Sequence, residues 1–202
     1  LAGEVTPSGS LVDSYLYDNM ANPAMYNFYT QAYPNAADYN LLTEGADVQG
    51  MYSVYQEGIY NGYYYAETRY EDSVLKRENV GDFTYSDLVA YPFGYGLSYS
   101  SFSYSDFKVG ENEDDYTISV KVKNDSEVSG KDTVELYLQK PYTKYDIDNG
   151  IEKASIQLIA FDKTELLDAH KEETITFSVP KKDLASYDAN TAETYVLEDG
   201  DY

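Results

Sequence analysis

The chain of 202 residues carries 36 acidic side chains, one histidine and no cysteine, so any chemistry here must come from carboxylates, hydroxyls or amines. His170 stands among Asp168, Lys171 and Glu172. A Ser-His-Asp triad around it would need the glycine-flanked serine elbow, which the sequence lacks, so the setting reads as a solvated turn. The run Glu111-Asn-Glu-Asp-Asp115 offers oxygen ligands for Ca²⁺ but not the spacing of an EF-hand loop, and reads as a hydrated turn. Gly94-Tyr95-Gly96 lacks the third glycine and the preceding strand of a dinucleotide loop. Without cysteine there is no thiolate metal site and no disulfide, and neither redox compartment is excluded. The sequence thus assigns no metal and no cofactor. Asn124-Asp125-Ser126 fits a glycosylation sequon by chance as easily as by use. Tyr15, Tyr17, Tyr26, Phe28, Tyr29 and Tyr33 have two readings: rings that stack on sugars along a cleft, or rings packed across a large domain interface.

Two compositions imply two domains. Of the 25 tyrosines, 18 fall at or before Tyr104, whereas 11 of the 14 basic residues follow it. The change comes at Tyr91–Ser105, where Pro92 fixes φ, glycines at 94 and 96 permit a tight reversal, and Tyr95, Leu97, Tyr99, Phe102 and Tyr104 offer rings and apolar bulk to wedge two layers together. The expected boundaries are 1–90, a junction at 91–105, and 106–202. A net charge of −22 disfavours nucleic acid and anionic membranes, which would repel the chain. No run of about 18 apolar residues is present for a membrane span. No leader begins at Leu1, and the opening residues read as a helix end running into a turn, as if mid-domain.

Residues 1–40 read as long connections punctuated by Pro7, Pro23 and Pro34. Met51–Arg69 opens like a strand and bends at Gly58 and Gly62 into a turn or short helix. Residues 70–82 have helix-friendly composition, with Asp72 or Ser73 as the cap and Gly81 near the end. Beyond Ser105 the pattern is all-β. Tyr116, Ile118, Val120 and Val122 alternate with polar residues, and Val134, Leu136 and Leu138 do the same. A long loop through Pro141 and Asn149-Gly150 leads to strands at 155–161 and 174–179, and a last one near Tyr195–Leu197. The turn at Glu198–Tyr202 starts a strand that the sequence leaves truncated. Short strands at this spacing suit a two-sheet sandwich of immunoglobulin type.

Several segments resemble family-3 glycoside hydrolases, the group of bacterial β-glucosidases. Val5-Thr-Pro-Ser-Gly-Ser-Leu11 is similar to the family's Val-Asn-Pro-Ser-Gly-Lys-Leu, and Glu57-Gly-Ile-Tyr-Asn-Gly-Tyr63 to its Glu-Gly-Ile-Tyr-Val-Gly-Tyr. Tyr91-Pro-Phe-Gly-Tyr-Gly-Leu-Ser-Tyr99 resembles the motif that joins an α/β sandwich to a fibronectin type III-like domain in that family. Ser129–Tyr137 and Ile159–Lys163 are similar to strands of the second domain. The resemblance implies a mixed fold, the end of an α/β sandwich over 1–90 followed by an all-β fibronectin type III-like sandwich over 106–202. Tyr64 stands where the family usually has Arg, Ala66 where a second aromatic is common, and Asn61 where Val is usual. Asn149–Ser155 and Leu184–Asp188 are similar to a circularly permuted branch, so the family's barrel has two possible places, before or after this segment.

The resemblance also implies where cleavage is not. A retaining glycosidase needs two carboxyl groups about 5–5.5 Å apart. The family's nucleophilic Asp lies in a Ser-Asp-Trp type motif after a barrel strand, and this chain has no tryptophan. Ser86-Asp87 and Ser105-Asp106 share two letters of that motif and read as turns. The family's acid/base Glu lies upstream of the Pro-Ser-Gly turn. Glu57, flanked by aromatics, is the local candidate for a desolvated carboxylate. No catalytic residue is assigned, and no substrate-binding residue is fixed. The expected function is an accessory, bracing part of a glycoside hydrolase, inactive by itself, with the rest of the enzyme and its carbohydrate substrate as partners. The alternative is a stand-alone carbohydrate-binding or adhesion module.

Overall fold

The computed structural model describes residues 3–26, 28–29, 31–39, 50–77 and 80–202. They fall into two compact units, residues 15–90 and a second made of residues 1–14 with 91–202.

The first unit is built from short pieces. β1 (Tyr15–Leu16) pairs with β4 (Val89–Tyr91), and β2 (Gln31–Ala32) pairs antiparallel with β3 (Met51–Tyr52). The tyrosines at 33 and 52 pack 4.6 Å apart, and the Tyr52 hydroxyl donates to the Gln31 side chain at 3.1 Å. α1 spans Tyr63–Val74 and the single turn α2 spans Tyr85–Leu88. The helix therefore starts earlier than the pattern over 70–82 predicts. Asp72 does not cap it but sits buried inside it, because Arg77 folds back onto its carboxylate at 2.6 Å. The end is a left-handed turn at Lys76, with the Arg77 N–H reaching the Asp72 carbonyl at 3.0 Å; Glu78 and Asn79 of the expected helix lie outside the described residues. Three consecutive tyrosines at 63–65 favour a strand by propensity, but the helix buries Ala66 and, one turn apart on a common side, Thr68 and Asp72, and that burial decides.

The second unit is the sandwich. β5 (Phe102–Glu111), β6 (Asp115–Asn124) and β9 (Glu172–Pro180) form one antiparallel sheet in the order β5-β6-β9. β7 (Thr133–Leu138) pairs with β8 (Gln157–Lys163), and β10 (Ser186–Asp188) with β11 (Thr194–Val196). The alternation read from the sequence is the one observed. Val122, Val134, Leu138, Ile175, Phe177, Val179 and Leu184 form the buried core, each worth about 1.5–3 kcal/mol for a large side chain fully removed from water.

Three details differ from expectation. β5 begins at Phe102, so the sandwich takes in the end of the expected junction. A helix, α3 (Lys144–Asn149), occupies the expected loop after Pro141, fixed by a capping box between Thr143 and Asp146. Residues 3–14 group with the sandwich although the expected division puts them with 15–90, for a reason set out next.

Candidate functional site

Two motifs more than eighty residues apart in the chain meet in space. The Leu11 N–H donates to the Tyr95 carbonyl at 2.8 Å, the Gly94 N–H donates back to Leu11 at 2.9 Å, and Ser10 bridges Gly96 as an antiparallel pair. Further along the same strap, the Thr6 hydroxyl donates to the Ser129 carbonyl at 2.7 Å and the Lys163 ammonium to the Ser8 carbonyl at 2.6 Å. These bonds explain why the Thr-Pro-Ser-Gly segment belongs to the sandwich. They also explain both glycines of Phe93-Gly-Tyr-Gly96. Gly94 has φ +78°, and a β-carbon there would lie 2.6 Å from a Glu135 oxygen; at Gly96 it would lie 2.5 Å from the Gly9 carbonyl oxygen.

A second cluster ties α3 to the last residues of the chain. Lys153 is nearly buried, with its ammonium 2.8 Å from each oxygen of the fully buried Asp146 and in contact with Glu198, which also accepts from the Thr143 hydroxyl. Burial alone would lower the Lys153 pKa, but the bonds to Asp146 and Glu198 outweigh it and hold the lysine above its ordinary value. Burial would raise Glu198, and Lys153 and Thr143 hold it down instead. Nearby, the Tyr145 hydroxyl donates to Asp188 at 2.7 Å, and three backbone N–H groups at Asn190, Thr191 and Ala192 each donate at 2.9 Å. Tyr145 first, then those amides, keep the Asp188 carboxyl well below the usual range. This close acidic pair, Asp146 with Glu198, is neutralised by an ammonium.

A hollow of about 300 Å³ lies between the two sheets. Its floor is Ile118, Val120, Val134, Leu136 and Phe177, and its rim is Tyr104 and Phe107 with Ser105 and Glu135. The polar rim groups are already engaged: Tyr104 donates to Asp132 at 2.5 Å, and Tyr137 donates to Glu135 at 2.7 Å. Burial, then the Asp132 contact, pushes the Tyr104 phenol above its ordinary value. A single carboxylate at the rim cannot supply the acid and nucleophile of glycoside cleavage.

The other sequence candidates are scattered. Asp106 lies in a β-bulge of β5, with φ +53°, and pairs with Lys121 at 3.1 Å. Asp87 lies in α2. Glu57 keeps one buried carboxylate oxygen with no hydrogen-bond partner among the described residues. Glu111–Asp115 is the β5–β6 hairpin turn, where the Asn112 side chain accepts from the Asp114 and Asp115 N–H groups. His170 is exposed at a tight turn, 3.1 Å from Glu127. Among the described residues no His, Cys, Asp and Glu cluster could hold a metal ion, and no described helix is long and apolar enough to cross a membrane. Asn124 of the sequon is fully buried, its amide donating to Val128 at 2.8 Å and Leu167 at 2.9 Å, so in the folded chain it pins two loops and is closed to glycosylation. Tyr15, Tyr17, Tyr26, Phe28, Tyr29 and Tyr33 are all exposed.

Comparison with known proteins agrees with this architecture. Residues 132–202 match the fibronectin type III-like domain. A β-glucosidase from Ruminococcus albus is 34% identical along the whole chain, which spans 17% of that protein. The solved β-glucosidase of Paenibacillus barengoltzii superposes with a TM-score of 0.71 at 31% identity, over 100% of this chain and 18% of that one. The chain belongs to glycoside hydrolase family 3. β-Glucosidase 3B of Thermotoga neapolitana, solved with glucose, superposes with a TM-score of 0.64 at 30% identity, over 90% of this chain and 20% of that one. This family-3 chain therefore spans about a fifth of the length of the relatives it matches. Within the family pattern, its departures are accommodated locally: Tyr64 packs its ring 4.6 Å from Tyr63, and Ala66, only 2% exposed, fills a position in α1 that has room for a small side chain.

Proposed function

We propose that the chain is the accessory and structural part of a glycoside hydrolase acting on β-glucosides or related β-linked sugars. It braces a catalytic barrel formed by polypeptide outside these 202 residues, and residues 15–90 contribute the end of that enzyme's α/β sandwich. One observation carries the reading. The chain matches β-glucosidases along its full length, yet the close carboxylate pair Asp146 and Glu198 is locked on Lys153, and the hollow presents Glu135 alone. The exposed tyrosines at 15, 17, 26 and 29 support contact with the substrate rim or with the barrel. They are also what a free-standing carbohydrate-binding module would display.

Turnover of an aryl β-glucoside separates these readings. The full-length enzyme hydrolyses it and the 202-residue chain does not; measurable turnover by the chain alone would place a catalytic pair within it. Saturable binding of glucosides by the chain alone would favour the binding module.

A further inference from the structure

The sequence holds two Asn-Gly pairs, Asn61-Gly62 and Asn149-Gly150, and the fold treats them oppositely. Such a pair is reactive because the asparagine side-chain carbonyl carbon lies within reach of the next residue's backbone nitrogen, and glycine puts no side chain in the way. Asn149 ends α3 with both reacting groups engaged. Its side-chain amide donates to the Tyr145 carbonyl at 2.8 Å, and its side-chain oxygen accepts from the Thr191 hydroxyl at 2.8 Å. The Gly150 N–H, which would be the nucleophile, is turned back onto the Asp146 and Ile147 carbonyls as the helix cap. The Asn190 side chain clamps the same peptide, donating to the carbonyls of Asn149 at 2.9 Å and Gly150 at 3.1 Å. Asn61 and Gly62, by contrast, are exposed at the start of α1. Among the described residues the Asn61 side chain and the Gly62 N–H make no hydrogen bond; only the Asn61 backbone carbonyl is used, accepting from the Tyr64 N–H at 3.1 Å.

We propose that Asn61 is a site of spontaneous deamidation and that the cap of α3 protects Asn149 from the same reaction. The Gly62 nitrogen gives its proton to solvent base and bonds to the Asn61 Cγ. The Cγ–Nδ2 bond breaks, ammonia leaves, and a five-membered imide closes. Water then splits one of the two C–N bonds of that ring. The net exchange of ammonia for water adds about 1 Da and one negative charge to a chain already at −22. Splitting at Cγ gives an aspartate, whereas splitting at the backbone carbonyl carbon gives an isoaspartate, whose main chain runs through the former side chain. The two products act oppositely on α1. An aspartate faces a helix N-terminus that has no side-chain cap and no acid in its first turn, a place that favours negative charge. An isoaspartate lengthens the main chain by one carbon at the residue that anchors the Tyr64 N–H, and loosens that turn.

Ageing the freshly purified chain in warm, mildly alkaline buffer tests this, with peptide mapping by mass spectrometry at intervals. In the folded chain Asn61 is expected to gain mass at least about tenfold faster than Asn149, since reaction at Asn149 waits on local opening. In urea the two rates should converge, because both pairs are Asn-Gly once the cap is gone. Asn61→Val, the side chain usual at this place in the family, should abolish the gain there. Asn190→Ala with Thr191→Val should speed Asn149 severalfold and leave Asn61 unchanged. Comparable rates in the folded chain, or a difference that persists in urea, overturn the proposal. None of these readings involves hydrolysis of a glycoside, so the inference stands or falls apart from the proposed function.

Discussion

The side chain that most constrains this molecule is Lys153, because it is the one cation between two nearly buried carboxylates. Removing one member of such a group leaves uncompensated charge inside the protein, so Lys153→Met is expected to cost about 3 kcal/mol in urea denaturation. The pH dependence follows from the depressed carboxyls. Asp188 and Glu198 are held below their ordinary values of 3.8 and 4.5. A folded pKa below the unfolded one adds stability that is complete above about pH 5 and is lost as pH falls through the folded value. The melting midpoint should therefore hold near neutrality and drop below about pH 4. Asp188→Asn with Glu198→Gln should flatten that acid limb. In Lys153→Met the limb should shrink, since Glu198 loses the ammonium that holds its carboxyl down. An unchanged limb in both variants would mean that other carboxylates govern acid unfolding.

At the level of elements, the sequence was most legible where one face is buried. The alternation of Tyr116–Val122 and of Val134–Leu138 survives intact, because a one-residue slip would turn the core outward. It was least legible where tertiary contacts overrode local preference. α3 hid in an apparent loop although Thr143-Lys-Tyr-Asp146 spells a capping box, and α1 runs unbroken over Tyr63–Val74 where a turn or short helix after Gly62 and a separate helix over 70–82 are expected. The β5 bulge was unreadable too, since Ser105-Asp106-Phe107 looks like a turn until β6 fixes its register. The bulge is now open to test. Deleting Asp106 should leave Phe107 alone opposite Val120 in plain alternation, with Phe107 and Val109 still inward and Lys108 outward, so the sandwich should lose less than about 1 kcal/mol. Asp106→Gly, which suits the positive φ, should be neutral or gain up to about 1 kcal/mol despite losing the exposed Lys121 pair. A deletion that costs more than about 2 kcal/mol in thermal denaturation would show that the sheet needs the extra residue itself.

For the molecule as a whole, composition located the change of character near Tyr91 but could not show that the chain's first residues return to the second unit. That fact lies in hydrogen bonds between segments distant in sequence, and neither segment reveals its partner by pattern: Val5–Leu11 reads as a turn and Pro92–Gly96 as a hinge. The observed grouping makes residues 3–14 a strap across the sandwich, held at Tyr95, Gly94, Ser129 and Lys163. A net contribution of about 1 kcal/mol for each backbone or side-chain bond, partly offset by the entropy of ordering the strap, predicts that residues 91–202 alone melt well below the same residues carrying the strap. Replacing 15–90 by a short Gly-Ser linker should restore the midpoint, because Leu11 and Tyr95 are already adjacent. Equal midpoints with and without residues 3–14 would show that the sandwich stands by itself and that the boundary belongs at Tyr91, as composition first suggested. A restored midpoint would instead make the Thr-Pro-Ser-Gly and Pro-Phe-Gly-Tyr-Gly motifs two halves of one structural element, joined through backbone hydrogen bonds and the close approach that glycine permits.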